Sequence, residues 1–122
     1  MREYKPEDYE QLMSWWLKRN KNPINPDLFS DTGFIVDGVA AVFLYTTNSK
    51  IAYLECMICN PDVDKSITDK ALNNLTELAA EAARQMGYKA LMATATNKNV
   101  IIRAIKHGFQ VEPGHTLLVK AL

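Results

Sequence analysis

Residues 51–59, Ile-Ala-Tyr-Leu-Glu-Cys-Met-Ile-Cys, make an apolar run broken only by Glu55. Asn60–Pro61 ends it, a short charged stretch (Asp62–Lys65) follows, and an amphipathic pattern then continues to Gly87. A strand feeding a long helix through a short loop commits a chain to stacked layers of helix and sheet, because each element has an apolar face to bury. Ile67, Ala71, Leu75, Leu78, Ala82 and Met86 form the stripe of that helix, widened by Leu72, Ala79 and Ala83, and the alanines call for close packing on a sheet. Ser66 with Asp69 reads as a capping pair, and Gly87 as the residue after the last turn. Free N–H groups and the helix dipole make such a helix start a place where α/β proteins hold phosphate.

The flanking segments supply the rest of the sheet. Arg2–Tyr4 suits an edge strand, and Pro6, Glu7 and Asp8 suit a helix start. Tyr9, Leu12, Met13, Trp16 and Leu17 recur with helical spacing, ending near Arg19–Asn20, while Trp15 lies off the stripe and is free to cover a pocket or a neighbouring segment. Lys21–Asp31, with Pro23 and Pro26, reads as a loop with one helical turn near Pro26–Phe29. Phe34–Val36 and Val39–Tyr45, joined by Asp37–Gly38, predict a hairpin with a type I′ turn. After the long helix come a strand at Lys89–Thr94, a helix capped by Asn97 and closed by Gly108, and two short strands at Phe109–Val111 and Thr116–Ala121. The order is β-α-β-β-β-α-β-α-β-β, a mixed, mostly antiparallel sheet with helices on both faces, in a single domain over 1–122.

Charge and cysteine usage exclude several functions. Fourteen basic and fourteen acidic side chains cancel, so neither nucleic acid nor a membrane surface is an expected partner. No segment is long and apolar enough to span a bilayer, and the expected location is cytoplasmic. Cys56 and Cys59 form a C-x-x-C, but an odd separation within a strand places them on opposite faces, which suits neither a redox pair nor zinc. His107 and His115 add no recognised ligand spacing, so no metal site is expected. Arg103 falls on the expected solvent face of the last helix.

The order of elements resembles that of the GNAT (Gcn5-related N-acetyltransferase) superfamily over nearly the whole chain. Pro61 and the triplet Lys70–Ala71–Leu72 match the proline that ends the family's fourth strand and the basic-Ala-Leu of its following helix. Asn97 and Gly108–Phe109 match the asparagine and Gly-Phe that bracket the family's last helix. The resemblance implies an α/β (α+β) GNAT-like fold and acyl transfer from acetyl-CoA to a small-molecule or protein amine. It also implies cofactor contacts along Met57, Ile58 and Cys59 through the backbone, at Lys65 and Ser66 in the phosphate loop, and at Asn97. Glu55, the one charged residue of the strand, takes the place of the family's general base.

The chain departs from the family at the same site. The loop pattern R/Q-x-x-G-x-G/A puts Asp64 where a basic or amide residue belongs, and Ile67 and Asp69 where glycines let the backbone approach a diphosphate. Asp62, Asp64 and Asp69 against Lys65 and Lys70 leave a formal −1 there. Two like charges about 4 Å apart repel by roughly 4 kcal/mol at an effective dielectric near 20, and less when exposed, so weakened anion binding is expected. The tyrosine that often protonates the leaving thiolate is replaced by Ala104, and sequence assigns that role to neither Tyr53 nor Tyr88. Two functions follow: a divergent GNAT-type acyltransferase, or a catalytically inactive GNAT-like protein-binding module of the kind found among small bacterial and phage-encoded proteins.

Overall fold

The computed structural model describes residues 1–122. Its sheet has the order β1-β2-β3-β4-β5, with β1 (Arg2–Glu3), β2 (Thr32–Val36), β3 (Ala40–Tyr45) and β4 (Ile51–Cys59) antiparallel in sequence. β5 (Ala90–Met92) joins β4 in parallel, after the crossover helix α2 (Lys65–Gln85). α1 (Tyr9–Lys18) covers one face of the sheet and α2 the other, while α3 (Lys98–Lys106) follows β5. No helix is long and apolar enough to cross a membrane.

Alternation along the central strands decides which residues meet which helix. Phe34, Val42 and Leu54 pack with Leu72, Leu75 and Ala79 of α2. Their neighbours Ile35, Ala41, Phe43 and Ile58 pack with Leu12, Trp15 and Trp16 of α1. β3 is covered on both sides, which is why Ala40–Leu44 is apolar at every position rather than every second one. Cys56 belongs to the α1 side and Cys59 to the α2 side, the opposite faces their spacing requires.

Several local expectations need correction. α1 is rotated toward Trp15, which is 2% exposed, whereas Leu17 of the expected stripe is 56% exposed. The extra buried surface of an indole outweighs that of a leucine when the helix settles. On α2, Ile67 and Met86 stay outside, and Thr68 and Thr76 turn inward by donating their hydroxyls to Lys65 O and Leu72 O. The helix starts at Lys65 with Asp64 as its N-cap, so the Ser66–Asp69 capping pair does not form. The hairpin turn carries positive φ only at Gly38 (71°), with Val39 N–H donating to Val36 O, and so fits type II rather than I′.

All three helices end alike. Asn20 (φ 56°), Gly87 (91°) and Gly108 (90°) are left-handed, and Lys21, Tyr88 and Phe109 donate their N–H groups back to Trp16 O, Ala83 O and Ala104 O. The two closing strands, Phe109–Val111 and Thr116–Ala121, do not form, and Leu117, Leu118 and Val119 are exposed. A three-residue β5 offers little edge for them to pair with, and Pro113 brings no N–H to a ladder.

Two features make the frame testable. A Cβ on Gly33 would lie 2.7 Å from two ring carbons of Phe43 and 3.1 Å from Tyr4 Cβ. Phe43 is fully buried and stacked on Phe29 at 4.5 Å between centroids, so the ring has nowhere to go. Gly33→Ala should cost about 1–3 kcal/mol in denaturant unfolding. Arg2 ties the chain start to α1 and the hairpin, donating to Asp8 at 2.6 and 2.8 Å and to Asp37 at 2.7 and 2.9 Å. The Arg2 guanidinium holds the Asp8 carboxyl below its ordinary 3.8 against the opposing effect of burial, and the Lys5 N–H adds a smaller lowering. That stability is complete above the ordinary value and is lost as pH falls through the depressed one. Unfolding free energy should therefore drop with acid below about pH 4, and Asp8→Asn should flatten that slope.

Candidate functional site: the gap between β4 and β5

β4 and β5 pair only at Ile51↔Ala90, Ala52↔Leu91 and Tyr53↔Met92, after which β4 continues along β3 alone. Between Phe43↔Glu55 and Ala41↔Ile58 two residues, Cys56 and Met57, stand against the single residue Val42, and Cys56 takes φ 57°. This bulge bends β4 where β5 ends, so the parallel strands part. Asn60 N–H donates to Val39 O and Ile58 pairs with Ala41, so alternation turns the backbone groups of Met57 and Cys59 away from β3, into the gap. Ile58 is committed to β3 and its side chain to the α1 core.

Glu55 stands at the apex of the gap. Its half-buried carboxylate accepts the Thr94 N–H at 3.0 Å and the Thr94 hydroxyl at 3.0 and 3.2 Å, bridging β4 to the segment after β5. Burial pushes its pKa up from the ordinary 4.5, and the two Thr94 donors pull it partly back. On the α1 side of the bulge, Tyr45 OH lies 3.3 Å from Cys56 Sγ and donates to Leu28 O at 2.9 Å. Burial pushes both the Tyr45 phenol and the Cys56 thiol up, so both stay protonated at neutral pH. Eleven residues separate the pair, and no sequence signal links them.

Beyond the gap lies the loop from Asn60 to the start of α2. Asn60 folds it by accepting the Asp62 N–H at 2.9 Å, and Asp64 makes no side-chain cap. The first N–H groups of α2, at Lys65 and Ser66, are therefore left without a protein partner. Ile67 is 52% exposed and points away from the core.

The charge in this region is not what the loop alone implies. Lys18 at the end of α1 pairs with Asp62, and Arg103 of α3 pairs with Asp69 at 2.8 Å. Arg19 donates to Cys59 O and Sγ, both at 3.1 Å. Five cations (Lys18, Arg19, Lys65, Lys70, Arg103) thus accompany three carboxylates (Asp62, Asp64, Asp69), a formal +2 in place of −1. Arg103 is a correction: its side chain is mostly covered rather than on a solvent face.

The remaining candidates are placed as follows. Asn97 uses its side chain to cap α3, accepting the Asn99 N–H at 2.8 Å. His107 sits between Glu77 Oε1 (2.6 Å) and Asn73 Oδ1 (2.9 Å), joining α3 to α2. Tyr88 is at the other end of the sheet, donating its hydroxyl to Thr47 O at 2.7 Å. A polar depression lined by Thr47, Ser49, Lys50 and Tyr88 lies there too, away from the gap.

Comparison with known proteins places this architecture. No protein-family model matches the sequence, and no curated protein matches it. Among solved structures, an acetyltransferase of Trypanosoma brucei superposes with a TM-score of 0.67 at 13% identity, covering 98% of this chain and 97% of that one. A protein of Agrobacterium tumefaciens str. C58, provisionally assigned as an acetyltransferase, superposes at 0.66 with 14% identity and 98% of both chains. At such identities the likeness is one of architecture, and the chain has a GNAT-like fold: a mixed, mostly antiparallel sheet with helices on both faces.

Proposed function

We propose that the chain is a GNAT-type acyltransferase that moves an acyl group from acyl-CoA, with acetyl-CoA the simplest donor, to a small-molecule or protein amine. The observation that carries this reading is the parting of β4 from β5, which leaves the backbone of Met57 and Cys59 facing an open gap with Glu55 at its apex. An extended amide-bearing arm fits such a gap by strand addition, which asks little of side chains. The unpartnered N–H groups of Lys65 and Ser66, in a region of net positive charge, suit the donor's diphosphate.

Bound acyl-CoA supplies a thioester carbonyl already activated for attack. The amine nitrogen would form the new N–C bond as the C–S bond breaks, and the thiolate would leave as the thiol with the proton that the amine gives up. Glu55 accepts the proton that the amine must lose, directly or through a water, and its raised pKa makes it a better base near neutrality. Thr94 holds that carboxylate in place with two donors. The second reading, a GNAT-like protein that binds another protein without catalysis, draws on Ala104 in place of a phenol and on the exposed Leu117, Leu118 and Val119.

Calorimetry with acetyl-CoA separates the two. A dissociation constant below about 100 µM is the expected result; no heat at millimolar ligand would select the binding module. A carbon-13 carboxyl titration should place Glu55 above 4.5. In Thr94→Val it should rise further, because the lost hydroxyl stabilises the charged form.

A further inference from the structure

We infer that Arg19 holds the diphosphate of the donor, supplying from α1 the positive charge that the loop after Pro61 lacks; this rests on the acyl-CoA reading above. The end of α1 is fixed on both sides. Trp15 and Trp16 are buried against the sheet, and the left-handed Asn20 with Lys21 N–H on Trp16 O closes the last turn. Lys18 and Arg19 are thereby held over the end of β4, one on Asp62 and the other on Cys59. They touch the start and the middle of the segment that leads into α2.

The two cations have different tasks. Lys18 is spent on Asp62, as Arg103 is on Asp69, and each removes a carboxylate that would repel an anion. Arg19 has no carboxylate partner: one amino group donates to a carbonyl and a thiol, and its charge is uncompensated. The other guanidinium donors are free, and their planar fork matches two phosphate oxygens better than an ammonium does. Because Arg19 is exposed, a change of rotamer suffices to move it from Cys59 O to a ligand.

The test is calorimetry on the full chain with two probes, acetyl-CoA and S-acetylpantetheine, which carries the thioester arm without phosphates. Arg19→Gln should weaken acetyl-CoA by about 10- to 100-fold and leave S-acetylpantetheine within about twofold, at an unchanged thermal midpoint. Arg19→Lys should recover part of the loss. Equal weakening of both probes would assign Arg19 a structural role through Cys59 and overturn the inference. Acetyl-CoA binding that Arg19→Gln leaves untouched overturns it while sparing the acyltransferase reading, whereas a wild-type chain that binds no acetyl-CoA removes both.

Discussion

The structure depends on one strand having two partners of unequal length. β4 follows β3 from Tyr53 to Cys59 but β5 for only three residues, and the extra residue at the Cys56 bulge turns it away from where β5 would continue. A regular ladder there would close the sheet. A non-glycine residue in the left-handed region carries a cost of about 1–2 kcal/mol. The side chains around Cys56 hold it there: Tyr45 OH is in reach of its sulfur, and the thiol packs in the α1 core. The gap is thus a product of core packing on the α1 side and is set before any ligand arrives.

The gap then organises what surrounds it. Thr94 can reach Glu55 because β5 has already ended, and its two donors occupy the carboxylate at the apex. The C-terminal end of β4 projects past β5, and α1 comes to rest beside it because Trp15 and Trp16 are drawn onto the sheet. α3 is attached to α2 through Arg103–Asp69 and through His107 with Glu77 and Asn73, a polar ladder rather than an apolar seam. None of α3's own residues is fully buried. The helix is placed by directional hydrogen bonds, which set orientation at little net stabilisation each.

Strands β1 to β4, the helices and their glycine or asparagine ends follow from periodicity and turn chemistry, which act over a few residues and are written locally. What sequence missed has a common cause. Trp15 against Leu17, and Thr68 against Ile67, are choices of which side of a helix turns inward, decided by which partner the sheet presents. The closing strands at Phe109–Val111 and Thr116–Ala121 have strand-like composition, yet pairing needs an edge, and the length of β5 is set elsewhere in the chain.

The electrostatics of the loop show the same limit most sharply. Read along the chain, Asp62, Asp64 and Asp69 make the region after Pro61 acidic, and the sign appears wrong for a diphosphate. Folding brings Lys18 from 44 residues away and Arg103 from 34 residues away to two of those carboxylates, and the sign reverses. Charge screening over about 10 Å makes spatial neighbours count and distant sequence neighbours irrelevant. Whether the region after Pro61 suits an anion is therefore decided by which side chains folding brings to it, not by the loop sequence alone. In this chain the end of α1 and the middle of α3 supply the cations that pair with two of its three carboxylates.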